Sequence, residues 1–249
     1  MGGASQGIGQ ATAELLASLG ARVILMARRS EVLEQVRAKL PNPSLHRTLS
    51  IDLERLEDLS SSLGRLVADT GPVTVWVNNT GGPKAGPLTE ASPDEMERAF
   101  RGHVLASQVI LRTLLPGMKQ AGQGRIVNVL STSVKTPLPN LGVSNTIRAA
   151  MAGWAKTLSQ ELGPLNITVN NILPGFTETP RLDALAAGAA GKEQKSDAEI
   201  KAAWAEQVPL KRLGDPRETA QAIAFLVSAA GAYVSGINLP VDGGRTGAL

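Results

Sequence analysis

The sequence predicts a single doubly wound α/β domain, in which a parallel β-sheet carries helices on both faces. Short runs of apolar and β-branched residues alternate along the chain with longer segments whose apolar residues recur at helical spacing. This alternation implies parallel strands joined by right-handed crossovers. We expect residues 1–249 to form one domain, because α/β proteins often reach roughly 250 residues around a single core.

The predicted strands and helices follow each other in the order that this fold requires. The strands span residues 22–27, 46–51, 73–77, 125–130, 167–173 and 237–241. The helices span residues 7–19, 31–40, 59–69, 93–120, 144–162 and 216–229. The fold also needs a central strand before the first helix, and the residues from Met1 to Gly3 are too few to form it. We therefore expect the first central strand to be missing, through a misassigned or trimmed start.

Residues 181–206, between the fifth strand and the last helix, are predicted to form a mobile substrate lid. The segment is rich in alanine and also contains glycine and charged residues. Segments of this kind often close over a substrate. A tolerated surface insertion without a role in the site is the alternative.

Composition and charge limit the classes of function. Zero cysteines exclude disulfides, thiolate metal ligands and a cysteine nucleophile, and two histidines argue against a histidine-based metal site. The 25 basic and 22 acidic residues form no basic stripe, so we expect no nucleic-acid partner. The most apolar stretch, residues 221–241, contains Gly, Pro, Ser and Asn and is predicted as a helix and a strand, not a membrane span. The first residues lack the pattern of a secretory signal, and we expect a cytoplasmic protein.

A glycine-rich turn opens the first predicted helix. Residues 3–9 read Gly-Ala-Ser-Gln-Gly-Ile-Gly and run directly into apolar helical periodicity. Glycines let the backbone turn sharply and approach a pyrophosphate, and the helix N-terminus presents free N–H groups to the negative charge. Alone, the pattern also fits an ordinary turn before a helix.

Further motifs follow in order and give the chain a family resemblance. They are Asn79-Thr80-Gly81, Ser131, Pro174-Gly175 and Asp242-Gly243-Gly244. Together with the glycine-rich turn, these motifs resemble the short-chain dehydrogenase/reductase family over essentially the whole chain. The resemblance implies a Rossmann-like fold, a nicotinamide cofactor, and hydride transfer between that cofactor and a carbonyl or alcohol substrate.

The resemblance implies cofactor-binding roles for residues along the whole chain. Those of the phosphate loop are Gly3, Ser5, Gln6, Gly7, Ile8 and Gly9, those near the adenine are Asp52 and Leu53, and those flanking the rest of the cofactor are Asn79, Gly81, Arg148, Pro174, Gly175, Thr177 and Thr179. Each could be an ordinary turn or surface residue. Their occurrence together and in order favours the functional interpretation.

The charge after the strand at residues 22–27 indicates the type of nicotinamide cofactor. An acidic residue here would accept the ribose 2′-hydroxyl of NAD, whereas a guanidinium group can bind the 2′-phosphate of NADP. Arg28 and Arg29 stand here, with no acid beside them. Arg28 matches the arginine of NADP-preferring members of the family, so we expect NADP(H) to be favoured over NAD(H). Arg29 is interpreted as an ordinary solvated residue.

The catalytic positions depart from the family pattern. In that pattern a serine orients the carbonyl, a later tyrosine supplies the proton, a lysine lowers the pKa of the tyrosine, and an asparagine completes a water relay. Ser131 matches the serine, whereas Ser144, Arg148 and His103 stand at the tyrosine, lysine and asparagine positions. The only tyrosine of the chain is Tyr233, close to the C-terminus.

These replacements change the acid–base chemistry. A serine hydroxyl is a far weaker acid than a phenol, whose pKa is about 10. Arg148 keeps a positive charge and hardly ever releases a proton. A relay from His103 through water or Ser144 is one hypothesis, although a lone histidine on a long helix is more often structural. Lys84 and Lys135, on loops expected to border the site, are candidate acids, recognition charges for an anionic substrate, or plain solvated lysines.

Three functional hypotheses remain open. The leading one is an NADP(H)-dependent oxidoreductase with an altered proton donor, because losing the acid slows hydride transfer without forbidding it. The others are a catalytically silent dinucleotide-binding sensor or oligomer partner, and a non-redox lyase or isomerase using the same cleft. The helices at residues 93–120 and 144–162 resemble the pair through which the family usually dimerises, and we expect a homodimer or homotetramer.

Overall fold

The computed structural model describes residues 1–248, with the backbone alone at positions 192 and 193. The strands are β1 (Ile24–Ala27), β2 (Arg47–Ser50), β3 (Val75–Asn78), β4 (Gly124–Val129), β5 (Ile167–Pro174) and β6 (Asn238–Val241). The α-helices are α1 (Gly7–Ser18), α2 (Ser30–Lys39), α3 (Leu56–Thr70), α4 (Pro93–Phe100), α5 (Ala106–Gln120), α6 (Gly142–Leu162), α7 (Pro180–Glu193), α8 (Asp197–Glu206) and α9 (Pro216–Val227). The predicted doubly wound α/β fold is confirmed, with element bounds that differ by a few residues.

All strand pairs are parallel, and two residues at the chain start lie where the missing central strand is expected. β1 pairs with β2, and β3 to β6 pair in sequence order. Between β1 and β3, the Gly2 N–H donates to the Val77 carbonyl (3.0 Å) and the Met26 N–H donates to the Met1 carbonyl (2.9 Å). An isolated parallel β-bridge between Gly2 and Met26 thus joins the β1–β2 pair to the β3–β6 sheet.

The core lies on both faces of the sheet, as the alternating strand residues require. Along β4, Ile126 packs with α3, α5 and α6 on one face, whereas Val127 and Val129 pack against α9 and part of α1 on the other. These side chains are almost fully buried, and their burial supplies the main favourable free energy of folding. In the described part of the chain, no helix combines the length and apolarity needed to cross a bilayer.

A row of asparagine amides crosses the sheet from β3 to β6. The Asn78 amide donates to Asn128 (2.9 Å), the Asn128 amide to Asn171 (2.9 Å), and the Asn171 amide to Asn238 (2.8 Å). The four residues are register partners on adjacent strands. Because a slip of one residue would turn each amide to the other face of the sheet, these bonds fix the register of the four strands β3 to β6.

The helix predicted at residues 93–120 contains a π-helical turn, Arg101–Leu105, between α4 and α5. Ser92 starts α4 with a capping box: its hydroxyl accepts the Glu95 N–H, and the Glu95 carboxylate accepts the Ser92 N–H. The π turn widens the backbone where His103 lies, and such insertions in helices often mark functional sites. The apolar periodicity predicted the helix but not this turn.

The predicted lid is a helix pair. The Thr179 hydroxyl caps α7 by accepting the Leu182 N–H (3.3 Å), and α7 packs against α8 through a small apolar cluster that includes Ala186, Ala190 and Ile200. Phe176, just after β5, stacks on Trp204 of α8 with a centroid separation of 5.0 Å. The helix pair is therefore attached to the segment that follows β5.

Candidate cofactor and catalytic site

An open cleft of about 1230 Å³ lies at the carboxyl ends of the strands. This edge of a doubly wound sheet is where such folds bind ligands, because the loops after successive strands meet there. Apart from Gly9 and the loop candidate Lys135, every site residue predicted from the sequence lines the cleft. Within residues 1–248, no group of His, Asp and Glu is arranged to hold a metal ion.

The phosphate loop depends on glycine at each of its three positions. Gly3 and Gly7 have φ values of +57° and +56°, a region that side chains strain to adopt. Gly9 lies behind the loop, where an added Cβ would be 2.1 Å from the Gly3 carbonyl oxygen. Asn79 supports the loop from beneath, and its amide donates to the Gly2 carbonyl (3.4 Å). The side chain of Gln6 makes no capping bond to α1, so the first N–H groups of this helix point freely into the cleft.

The segment after β5 closes on the phosphate loop from the other side. The Thr177 hydroxyl donates to the Gly175 carbonyl (3.3 Å), and the Thr179 hydroxyl donates to the Thr177 carbonyl (3.2 Å). A Cβ on Gly7 would lie 3.0 Å from the Thr179 methyl group. The two segments that the resemblance assigns to the cofactor are therefore in direct contact.

Two arginines lie at the end of the cleft that follows β1. Arg28 and Arg29 are exposed and both line the cleft. The Arg29 guanidinium donates to the Gln6 side-chain oxygen (3.1 Å), which connects it to the phosphate loop. The interpretation of Arg29 as an ordinary solvated residue is therefore incomplete. Asp52, after β2, accepts the Glu54 N–H (3.1 Å) and lies in the same part of the cleft.

Two serines stand at the opposite end of the cleft, called the catalytic end because the resemblance assigns the reaction to residues here. The half-buried Ser131, two residues after the end of β4, accepts the Ser133 N–H (3.1 Å), which leaves its hydroxyl proton available to a ligand. Ser144, in the first turn of α6, is 8% exposed. Among the described residues its hydroxyl has no hydrogen-bond partner, so both hydroxyls are free to bind a molecule in the cleft.

Arg148 is a buried cation that joins two strand ends. It projects from α6, and its guanidinium donates to the Val129 carbonyl (2.9 Å) and to the Thr80 carbonyl (3.4 Å). Burial, and then the positive charge of Arg181, lower its pKa to about 10. Arg148 is still charged at neutral pH, and it places a positive charge beside the two serines.

His103 is buried in the π turn and hydrogen-bonds to a residue of the loop after β3. Its Nδ1 lies 2.7 Å from the Thr80 hydroxyl. Burial, and then repulsion by Arg148, lower the pKa of His103 to about 3. The ring is therefore neutral at neutral pH and holds no extra proton to donate, which favours the structural interpretation over an acid relay.

Three further basic residues, Lys84, Lys135 and Arg181, lie in or near this end of the molecule. Lys84 lines the cleft, whereas Lys135 does not. The expectation that Lys135 borders the site is wrong, because a short helical turn, Thr132–Val134, separates it from Ser131. Arg181 of α7 also lines the cleft, and its guanidinium donates to the Pro83 carbonyl (2.6 Å). Sequence reasoning missed Arg181, since it belongs to no motif and reaches the cleft only through the lid.

Comparisons with known proteins cover nearly the whole chain. A family model described as enoyl-(acyl carrier protein) reductase matches residues 3–246. The chain is 34% identical to the 3-oxoacyl-[acyl-carrier-protein] reductase FabG of Vibrio cholerae over 244 residues, which is 97% of this chain and 94% of that protein. It is 30% identical to the NADPH-dependent reductase BacG of Bacillus subtilis over 246 residues, covering 97% and 95% of the two chains.

The fold agrees with a solved structure to a similar extent. The L-sorbose reductase of Gluconobacter frateurii, solved in complex with NADPH and L-sorbose, superimposes with a TM-score of 0.93 at 30% identity. The superposition covers 100% of this chain and 96% of the other. The agreement extends from the phosphate loop to the C-terminal glycines.

Proposed function

We propose that this chain, which belongs to the short-chain dehydrogenase/reductase family, is an NADP(H)-dependent oxidoreductase with an altered proton donor. Its reaction would interconvert a carbonyl compound and an alcohol. The observation that carries the proposal is the phosphate loop, where Gly3, Gly7 and Gly9 leave a backbone cradle that any Cβ would fill. The similarity to reductases named as NADPH-dependent, or solved with NADPH, supports the same conclusion.

The residues present fit a nicotinamide dinucleotide. The phosphate loop and the free N–H groups of α1 would bind the pyrophosphate, and the pair Arg28 and Arg29 would bind a 2′-phosphate. Thr177 and Thr179 would flank the nicotinamide half, and Arg148 would bind the ribose hydroxyls. The bound cofactor would supply or accept the hydride. The preference for NADP(H) rests on the two arginines, since guanidinium groups bind phosphate more strongly than they bind a hydroxyl.

The proton that the substrate oxygen takes up during reduction must come from a group other than a tyrosine. Ser131 would orient the carbonyl by donating its hydroxyl proton, and Arg148 would stabilise negative charge that develops on the carbonyl oxygen. Ser144 is smaller than the tyrosine it replaces, so water can enter the open cleft beside it. We propose that this water protonates the oxygen as the hydride arrives, and that turnover is slow because water is a poor general acid.

A silent dinucleotide-binding protein is the second candidate. It is favoured by the neutral, buried state of His103, whose pKa of about 3 leaves no imidazolium to replace the missing tyrosine. Titration of the purified protein with NADPH and NADH, followed by a panel of carbonyl compounds monitored at the nicotinamide absorbance, separates the two. Tighter NADPH binding with measurable turnover supports the oxidoreductase. Tight binding with no turnover on any carbonyl supports the silent protein.

We further propose that the chain assembles as a homodimer or homotetramer through α4, α5 and α6. Phe100, the last residue of α4, is 42% exposed, and Leu105, the last residue of the π turn, is 38% exposed. Large exposed apolar side chains on one helical face are typical of an association surface. Light scattering at micromolar concentration tests the proposal, and a monomer would contradict it.

A further inference from the structure

Two guanidinium groups meet at the catalytic end of the cleft without an acidic partner. Arg148 is buried and Arg181 is half-buried, and both line the cleft. Neither forms an ion pair with any residue in the described part of the chain. The acidic lining residue Glu95 lies instead within electrostatic range of Lys84 and Arg98. Asp52 and Glu54, the other acids of the lining, follow β2 at the adenine end.

The loop after β3 holds both guanidinium groups, and each donates to one of its carbonyls. Arg148 donates to the Thr80 carbonyl (3.4 Å) and Arg181 donates to the Pro83 carbonyl (2.6 Å). Between these residues, a Cβ on Gly82 would lie 3.1 Å from the Arg181 guanidinium, so glycine allows this close approach. Each guanidinium has five N–H donors, and the bonds to the protein leave most of them available to a ligand.

The two like charges repel each other at this end of the cleft, where no acidic side chain of the described residues compensates them. Repulsion from Arg181 contributes to the lowered pKa of Arg148, and burial lowers the pKa of Arg181. Cations held in a partly buried place without a counter-charge are costly. A planar carboxylate can accept paired hydrogen bonds from guanidinium groups and remove this cost.

We propose that Arg148 and Arg181 bind a carboxylate of the substrate, and that the substrate is an oxo acid with its carboxylate one or two carbons from the reacting carbonyl. The short spacing follows from Arg148, which is bonded to the carbonyl of Val129, two residues before Ser131. Leu182 and Leu185 of α7 line the same cleft and fit an aliphatic tail on the acid. The inference rests on the proposed function, because it names the substrate class of that site.

Arg181 lies on the predicted lid, so a ligand bound to it is also bound to the lid. A carboxylate bound by both arginines connects α7 to α6, so binding of the acid holds the helix pair over the cleft. A neutral ketone offers no such connection.

Isothermal titration of the full chain with 2-oxohexanoate and with its neutral methyl ester, in saturating NADP+, tests the proposal without requiring turnover. The acid is expected to bind at least tenfold more tightly than the ester. Arg181→Gln is expected to abolish this difference while changing the Kd of NADP+ less than twofold. Lys84→Gln is the matched control, since it removes a cation from the same cleft and should preserve the difference. Arg181→Lys, which keeps the charge, is expected to retain part of it and serves if Arg181→Gln fails to fold.

Three outcomes would overturn the proposal. Equal affinity for acid and ester would show that no carboxylate is bound. A loss of NADP+ affinity in Arg181→Gln as large as the loss of acid affinity would assign the arginine to a phosphate of the cofactor. A loss in Lys84→Gln equal to that in Arg181→Gln would show a general effect of charge. Should NADP+ fail to bind wild type while the acid binds in an Arg181-dependent way, the proposed function would fail and the anion site would stand.

Discussion

The two ends of the cleft are built on different physical features. At the cofactor end, binding depends on backbone shape: glycines with positive φ, a helix N-terminus, and Asn79 beneath the loop. At the catalytic end, the proposed chemistry depends on the identity of single side chains, and the resemblance implies that Ser144, Arg148 and His103 stand in place of the family's tyrosine, lysine and asparagine. By the resemblance, the first end keeps the family pattern and the second departs from it. Cofactor binding can therefore persist in a fold while the proton donor changes, because the backbone of the phosphate loop does not depend on the side chain that supplies the proton.

The largest expected effect comes from restoring the family's acid at the catalytic end. In Ser144→Tyr combined with Arg148→Lys, a phenol beside a lysine regains a tunable pKa, and a positioned general acid contributes about 10²- to 10⁴-fold to a rate. We expect kcat for carbonyl reduction to rise within that range, measured at the nicotinamide absorbance. Ser144→Phe with Arg148→Lys is the control, because it adds the ring without the acid. No gain over that control would mean that the catalytic end has lost more than its acid.

The second prediction concerns a variant that distorts the phosphate loop at the cofactor end. Gly9→Ala places a methyl group where a Cβ lies 2.1 Å from the Gly3 carbonyl oxygen, and forcing such an overlap costs about 1–3 kcal/mol. We expect NADPH to bind roughly 10- to 100-fold more weakly by fluorescence titration. Gly64→Ala on α3 is the control, since an added Cβ there has no neighbour within 4 Å. Equal NADPH affinity in both variants would refute the view that glycine geometry determines binding.

The third prediction concerns cofactor choice. Arg28→Asp replaces a partner of the 2′-phosphate with a repelling carboxylate, and we expect the ratio of NADPH to NADH affinity to fall by about tenfold. Arg29→Ala is the companion variant, because Arg29 bonds to Gln6 of the phosphate loop and also lines this end. It should weaken both cofactors through the loop and reduce the preference less. Equal affinity of wild type for both cofactors would contradict the preference itself.

The sequence predicted the fold and the glycine-rich turn before α1 because both leave local signals. The periodicity of strands and helices can be recognised in short stretches of sequence, and the residues of the glycine-rich turn are contiguous. The π turn at Arg101–Leu105 leaves no such signal, because it shifts backbone hydrogen bonds without changing the apolar pattern. Arg181 also could not be found, since it reaches the cleft from the lid, and only the folded chain brings it beside Arg148. Contacts between distant segments, not composition, determine the catalytic end.

The smallest expected effect on turnover comes from replacing His103. This variant tests whether His103 takes part in the reaction or only stabilises the fold. His103→Asn introduces the family residue, and we expect kcat to change less than about threefold, because a ring with a pKa of about 3 holds no extra proton to donate. Stability should respond instead. Between pH values of about 6.5 and 3 the unfolded chain binds a proton at this histidine and the folded chain does not, so the free energy of unfolding falls as the pH falls below about 6.5. The expected loss between pH 7 and pH 5 is about 2 kcal/mol larger in wild type than in the variant, measured by urea unfolding. A drop in kcat of a hundredfold with unchanged NADPH affinity would instead place His103 in the proton relay.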